Sequence, residues 1–147
     1  SSVPAQVFAA HLLATLANAG IRNFFLAPGA RSQALAIAAG QLASTRKIDL
    51  HVRLDERSLG FTALGAALAS GEPSVIITTS GTAVANLHPA VLEANHSGVP
   101  LILLTADRPH ELRGVGANQT TAQNNIFGGA VRARRGRHRP RRGAACR

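Results

Sequence analysis

The sequence has little or nothing of several residues on which particular protein classes depend. Its 147 residues include one cysteine, Cys146, so an intrachain disulfide and a zinc site built on cysteines are excluded. No run of about 18 apolar residues occurs, and a transmembrane helix is therefore not expected. Methionine is absent even at the first position, which we interpret as the mark of a trimmed fragment. Because 46% of the residues are hydrophobic, most of the chain is nonetheless expected to fold.

Charge is also scarce, and it is distributed unevenly. Charged residues make up 16% of the sequence, against about 25% in an average soluble domain. Residues 1–131 carry eight basic and seven acidic side chains, a net charge of +1, whereas residues 132–147 carry eight arginines and no acidic residue. We therefore divide the chain into a domain, residues 1–131, and a basic low-complexity tail, residues 132–147, which we expect to be disordered in isolation.

Apolar residues alternate between helical and strand spacing along the domain. The predicted helices are 6–19, 32–43, 56–69 and 82–94, and the predicted strands are 23–26, 48–54, 74–79 and 101–105. Pro89 predicts a kink or break in the last helix, and Pro109 a stop after the last strand. The first helix is predicted because apolar residues stand near helical spacing in it, namely Val7, Phe8, Leu12, Leu16 and Ala19. This alternation predicts the α/β class, with a mostly parallel sheet flanked by helices, followed by a long loop over residues 110–125.

Unusual polar residues follow each predicted strand, whereas the opposite connections are ordinary turns. The segments concerned are 28–32, 55–57, 80–82 and 106–109. Because the carboxyl ends of parallel strands meet at one edge, where open α/β sheets bind ligands, we predict a binding site there.

Each candidate also has a purely structural interpretation. Asp55 could cap a helix that begins at Glu56, rather than hydrogen-bond a ligand nitrogen. Residues 80–82 could form only a tight turn, or an edge for an anion or cofactor. Arg31 and Arg108 could be solvated charges, or a pair that binds a substrate with carboxylates.

Other signals are weak or absent. Asn118 and Gln119 lie in a glycine-flanked loop, where amides cap turns more often than they bind ligands. Neither a GxxxxGK[ST] nor a GxGxxG motif occurs, which disfavours nucleoside triphosphates and dinucleotides. The histidines show no metal-ligand spacing and are interpreted as structural or surface residues, namely His51, His88, His96 and His110.

Taken together, five segments resemble the N-terminal pyrimidine-binding domain of thiamine-diphosphate-dependent enzymes, in their menaquinone-biosynthesis branch. The segments are APGARSQALA (27–36), HVRLDERSLGF (51–61), TTSGTAVANLHPAVLEA (78–94), LTADRPHEL (104–112) and GANQT (116–120). The resemblance covers about residues 5–131, and the combination of the third and fourth segments is more specific than any one of them.

The resemblance implies a transferase of the cytoplasm. Thiamine diphosphate attacks 2-oxoglutarate as an ylid, carbon dioxide leaves, and the resulting carbanion adds to isochorismate. Glu56 matches the catalytic glutamate that hydrogen-bonds the aminopyrimidine ring and favours its imino tautomer. The matches to the cofactor and substrate pocket are Gly81, Thr82, Asn118 and Gln119 for the cofactor, and Arg31, Ser32 and Arg108 for the substrates.

The sequence departs from the family pattern at three points. Ala30 replaces the first serine of the family's PGSRS motif. The second domain, whose GDG…N-type motif binds magnesium or manganese and the diphosphate, is not found, so no metal ligands are expected in this chain. The match ends near Val131, where the arginine-rich tail begins, and we interpret that switch as a frameshift. Because the family's cofactor lies between two subunits of a dimer or tetramer, the chain alone is expected to be inactive and to bind the cofactor weakly. The surface that meets the missing domains should be left exposed, which predicts poor solubility or self-association.

Two other functions remain open. The basic tail would bind nucleic-acid phosphates without sequence preference, although it has no aromatic residue for base stacking and no recognised binding module. The domain could alternatively be a non-catalytic α/β binding module.

Overall fold

Helices and strands alternate along the chain in a computed structural model that describes residues 3–108 and 110–136. The helices are α1 (Val3–Asn18), α2 (Gln33–Ser44), α3 (Glu56–Ser70), α4 (Thr82–Ala85) and α5 (His88–Ser97). The strands are β1 (Asn23–Leu26), β2 (Asp49–Val52), β3 (Ser74–Thr78) and β4 (Leu101–Thr105). Short 3-10 turns span Ala30–Ser32, His110–Leu112 and Gly128–Ala130. No helix of these described residues has the length and apolar character needed to span a membrane.

The four strands form one parallel sheet in the order β2-β1-β3-β4, which confirms the predicted fold class. Every residue of β3 is buried, as its continuous β-branched sequence predicts for a central strand covered on both faces. The edge strand β2 is mostly exposed. It is also shorter than the predicted 48–54, because its one neighbour, β1, offers only four residues for pairing before Pro28.

Helices cover both faces of the sheet and produce two hydrophobic cores. One core places Phe24 and Ile77 of the sheet against α1 and α2, and the other places Phe25 and Ile76 against α3 and α5. Both phenylalanines are almost fully buried, and each such side chain stabilises a fold by about 1.5–3 kcal/mol. A Cβ on Gly60 would lie 3.0 Å from Cβ of Ala90, so this glycine lets α3 and α5 approach closely.

The apolar residues that stand at helical spacing in the first helix are not its buried face. Val7 and Phe8 are 63% and 45% exposed, whereas Ala9 and Leu13 are buried. Leu12 and Leu16 are half-buried, and Ala19, which follows the helix, is exposed. The reason is that α1 packs against α2 and the sheet through a neighbouring stripe that includes Ala9 and Leu13, which periodicity alone could not distinguish.

The predicted break at Pro89 is confirmed. A continuous helix would need an amide proton at position 89, which proline lacks. The chain instead ends α4 at Ala85 and begins α5 at His88, so that Pro89 falls in the first turn of the new helix, where its missing donor costs nothing.

Some predictions concern residues beyond the described ranges. Pro109, predicted to end β4, lies outside them, and so do residues 137–147 of the tail. The described part of the tail, residues 132–136, is exposed, and Nη1 of Arg134 donates a hydrogen bond to Oδ1 of Asn125.

Candidate functional site

The parallel sheet brings the four segments that follow the strands to one edge. Beyond the ends of β1 and β3, Gly29 lies against Thr79 so closely that a Cβ on this glycine would be 2.3 Å from Cβ of Thr79. Beyond β4, the backbone N–H of Ala106 donates to the carbonyl of Thr78 at 3.0 Å. The predicted meeting of these segments is therefore confirmed, and Gly29 is required at its position by close approach.

The segment after β2 begins α3 with an aspartate cap. Oδ2 of Asp55 accepts hydrogen bonds of 2.7 Å from both the backbone N–H and the hydroxyl of Ser58. These bonds, the side-chain one first, hold the pKa of Asp55 below its usual range. Asp55 thus has the structural role that was open in the sequence, and it directs the next residue, Glu56, to the start of the helix.

Glu56 is a half-buried residue, and its carboxylate contacts the connection that follows β3. Its Oε2 atom accepts a hydrogen bond from Nδ2 of Asn86 at 3.4 Å. Asn86 lies in the two-residue break between α4 and α5, so the break positions this amide next to the carboxylate. The arrangement leaves Glu56 able to accept a further hydrogen bond from a ligand, because a carboxylate has about four acceptor positions.

The turn after β3 is tightly joined to the loop that follows β4. The hydroxyl of Ser80 donates to the carbonyl of Gln119 at 2.8 Å. The backbone N–H of Gly81 donates to Oε1 of Gln123 at 2.9 Å, and Nε2 of Gln123 donates to the carbonyl of Ala106 at the same distance. Gly81 has a positive φ of 84°, and a Cβ on it would lie 3.0 Å from backbone atoms of Gln119. Both the conformation and the close approach therefore require glycine at residue 81.

Arg108 is directed into this loop rather than toward solvent. The residue is 7% exposed, and its Nη2 atom donates to the backbone carbonyl of Asn118. Its Nε atom is buried and has no hydrogen-bond partner within residues 3–108 and 110–136. Asn118 and Gln119 are exposed residues. Their backbone carbonyls accept hydrogen bonds from Arg108 and Ser80, respectively. The loop therefore presents two exposed amide residues on a backbone that hydrogen bonds hold in place.

The remaining candidates lie at the starts of α2 and α4. Arg31 is exposed on the 3-10 turn after β1. Ser32 is 1% exposed and its hydroxyl donates to the carbonyl of Gly29 at 3.0 Å, so that proton is used within the turn. Thr82 is the exposed first residue of α4. Their predicted contacts with cofactor or substrates remain predictions.

A cavity of about 400 Å³ lies beneath the loop after β4. Its lining includes Asp107, Arg113 and Gln123. Burial raises the pKa of Asp107, although the guanidinium of Arg113, 2.6 Å away, acts in the opposite direction. Glu56 does not line this cavity, so it is separate from the carboxylate of this half-buried residue at the edge of the sheet.

Two residues of the site had not been identified from the sequence. Gln123 stands in a polar loop with no distinguishing pattern, and only its long-range contacts reveal it. Asn86 could have been identified as a break in the helix, because asparagine is unfavourable inside a helix and this asparagine lies three residues before Pro89. Within the described residues, no group of three or more histidine, cysteine, aspartate and glutamate side chains could hold a metal ion.

Comparisons with known proteins point in one direction. A family model described as "Thiamine pyrophosphate enzyme, N-terminal TPP binding domain" matches residues 7–127. The chain is 58% identical over 129 residues to 2-succinyl-5-enolpyruvyl-6-hydroxy-3-cyclohexene-1-carboxylate synthase of Leifsonia xyli subsp. xyli, covering 88% of this chain and 22% of that protein. It is 53% identical over 127 residues to the synthase of the same name from Nocardioides sp., covering 86% of this chain and 24% of that protein. The chain thus spans between a fifth and a quarter of the length of these relatives.

Proposed function

We propose that this chain, which belongs to the thiamine pyrophosphate enzymes as their N-terminal TPP-binding domain, holds the aminopyrimidine ring of thiamine diphosphate. The observation that carries the proposal is the carboxylate of the half-buried Glu56 at the ligand-binding edge of a parallel sheet. A carboxylate is the side chain suited to hydrogen-bond a ring nitrogen that must gain a proton. The residues present fit the ring in this respect.

The placement of the chain's residues supports the following proposed roles. Glu56 accepts a hydrogen bond from a protonated ring nitrogen and holds that proton during the reaction. The amide of Asn86 contacts the same carboxylate and limits the directions in which it can turn. The exposed amides of Asn118 and Gln119, with Gly81 and Thr82, contact the cofactor from the neighbouring segments. When bound, thiamine diphosphate supplies the carbanion chemistry that no side chain can supply.

For the whole protein we propose the reaction that forms the product after which the relatives are named, 2-succinyl-5-enolpyruvyl-6-hydroxy-3-cyclohexene-1-carboxylate. It is a transferase reaction of menaquinone biosynthesis in the cytoplasm, in which a 2-oxoglutarate-derived fragment is added to isochorismate. Both substrates carry carboxylates, and guanidinium groups bind carboxylates in a bidentate manner. Arg31 is exposed and can meet a substrate carboxylate. The buried Nε of Arg108 has no hydrogen-bond partner among the described residues, so it is a donor that a carboxylate entering the loop could satisfy. Ser32 supports the turn that carries Arg31.

In this proposal the chain supplies the residues that hold the aminopyrimidine ring, and other residues hold the metal and the diphosphate. Within residues 3–108 and 110–136 no acidic cluster could hold the magnesium or manganese ion that accompanies the diphosphate. We propose that these groups are held by a second domain on another subunit of a homo-oligomer. The chain alone is therefore expected to be inactive and to bind the cofactor weakly.

A titration followed by nuclear magnetic resonance tests the proposal at low affinity. Adding thiamine diphosphate to the 15N-labelled chain should shift the backbone signals of Glu56, Gly81 and Gln119. Glu56→Gln should weaken binding roughly tenfold or more, because hydrogen bonds to charged groups are the stronger ones. Glu72→Gln, an exposed site that loses the same charge, is the control.

Three results would count against the proposal. If millimolar ligand shifted no signal near Glu56, or if the two glutamine variants bound equally, the assignment of the site would be wrong. Micromolar binding by the wild-type chain, measured by calorimetry, would contradict the expected weakness and show that the second domain is not required.

A further inference from the structure

Gln123 joins two segments of the site through the two ends of one side-chain amide. Its oxygen accepts from the N–H of Gly81, and its nitrogen donates to the carbonyl of Ala106, each at 2.9 Å. We propose that Gln123 is a positioning residue, which fixes the exposed amides of Asn118 and Gln119 against the turn after β3. The proposal rests on the proposed function in that these amides are the groups offered to the ligand.

The chemistry of the bridge requires an amide. One partner is a backbone donor and the other a backbone acceptor, so the side chain between them must offer an acceptor and a donor at its two ends. Glutamine does so, whereas methionine of similar length offers neither a strong donor nor a strong acceptor. The two partners also determine which end of the amide is oxygen. Gly81 and Ala106 lie 42 and 17 residues from Gln123 along the chain, so the bridge is a tertiary feature.

The loop that Gln123 holds lies in close contact with the turn. The hydroxyl of Ser80 reaches the carbonyl of Gln119, and a Cβ on Gly81 would lie 3.0 Å from the carbonyl carbon and oxygen of the same residue. Moving the loop by the width of a methyl group would break the Ser80 bond. The position of Gln119 therefore depends on the bond that ties Gln123 to Gly81.

The backbone of the loop needs such support. Gln119 has a φ of 53°, in the left-handed region that residues other than glycine rarely adopt. Conformations of this kind persist when the surrounding contacts hold them in place. Among the described residues, the side-chain contacts that reach this loop from other segments include those from Ser80 to Gln119, from Arg108 to Asn118 and from Gln123 to its two partners. Of these side chains, Gln123 alone connects the turn after β3 with the end of β4.

Hydrogen exchange of individual amides tests the proposal on the whole chain. The variants are Gln123→Met, which keeps most of the volume, and Gln123→Ala. The control is Gln41→Met, at an exposed position of α2. In both Gln123 variants the amide of Gly81 should exchange roughly two- to tenfold faster, the range expected for one lost hydrogen bond. The amide of Ile76, in the core of β3, should exchange as in the wild type.

The pattern of exchange separates positioning from general stability. If Gly81 exchanged at the wild-type rate in both variants, or if Ile76 accelerated as much as Gly81, the proposal would be overturned. The side-chain amide signals of Asn118 and Gln119 should also shift in the Gln123 variants but not in the control.

A second arm distinguishes this proposal from the proposed function. Thiamine diphosphate is titrated into the wild-type chain and into Gln123→Met. We expect the ligand-induced shifts of the Asn118 and Gln119 amides to shrink in the variant, while those at Glu56 persist. If the wild type gave no ligand shifts while Gly81 exchange accelerated in the variants, the proposed function would fail and the positioning role would stand. Equal ligand shifts at Asn118 and Gln119 in both proteins would overturn the positioning role and leave the function in place.

Discussion

Nδ2 of Asn86 lies 3.4 Å from Oε2 of Glu56 and donates a hydrogen bond to it. The two residues follow strands that are not neighbours, since β1 lies between β2 and β3. Asn86 reaches the carboxylate because the helical segment after β3 breaks just before Pro89. Pro89, which interrupts the helix, thus also determines which side chain contacts the carboxylate of Glu56.

Replacing this amide by a carboxylate should destabilise the domain. In Asn86→Asp two negative charges would lie at hydrogen-bond distance, and near a surface such repulsion costs from a few tenths to about 1 kcal/mol. We expect a lower free energy of unfolding in urea at neutral pH, with partial recovery in high salt because salt screens the repulsion. Asn95→Asp, exposed on α5, carries the same change of charge and should have little effect. Equal losses in the two variants would show that Asn86 and Glu56 are not in contact.

Two glycines should respond in opposite directions to the same substitution. Gly29→Ala would place a Cβ 2.3 Å from Cβ of Thr79, and overpacking of this kind typically costs about 1–3 kcal/mol. Gly40→Ala adds a methyl group to an exposed position inside α2 with no atom within 4 Å, and should stabilise by about 0.5–1 kcal/mol. Thermal and urea unfolding measure both. A neutral or stabilising effect of Gly29→Ala would be inconsistent with the close approach of the segments after β1 and β3.

The cap of α3 should make stability depend on pH. Hydrogen bonds from Ser58 lower the pKa of Asp55, so the ionised form stabilises the folded state. That contribution is complete above the unfolded-state pKa, about 4, and is lost as the pH falls through the lower folded-state pKa. Asp55→Asn retains a capping residue without the charge, so its unfolding free energy should be lower than that of the wild type at pH 7 and should converge with it in acid.

Asp49→Asn serves as the control for this comparison. Asp49 is an exposed aspartate whose nearest cation, Arg22, is 3.7 Å away. Exposed pairs of this kind contribute little. A difference between Asp55→Asn and the wild type that stayed constant from pH 7 into acid would assign the effect to something other than the charge of the cap.

The outer face of α3 should promote self-association of the chain. Phe61 and Leu68 are seven residues apart on this helix, and they are 41% and 69% exposed. Sedimentation velocity should show a concentration-dependent increase in mass that the double variant Phe61→Gln and Leu68→Gln reduces, because apolar area exposed to water favours association. Thr62→Gln with Ala69→Gln, at the next positions along the same helix, is the control. Equal association of the two double variants would place the contact elsewhere.

Much of the fold could be predicted from local signals. The apolar run of β3 implied a strand covered on both faces, Asp55 with Glu56 marked the start of α3, and Pro89 marked a break. The buried stripe of α1 could not be predicted. Val7 and Ala9 both lie in the apolar-rich sequence of α1, and only the packing of α1 against α2 decides which of them faces inward.

The sequence by itself determined the fold class, the edge of the sheet at which we propose that a ligand binds and the residues that resemble a known family. Those features depend on periodicity, on turn residues and on the parallel direction of the strands, which are local or follow from connection lengths. Only the tertiary structure decided that Arg108 bonds the backbone of Asn118, that Asn86 meets Glu56 and that Gln123 joins two segments. These contacts link positions 10 to 42 residues apart, and no local pattern records which polar groups the packed sheet brings within hydrogen-bond distance.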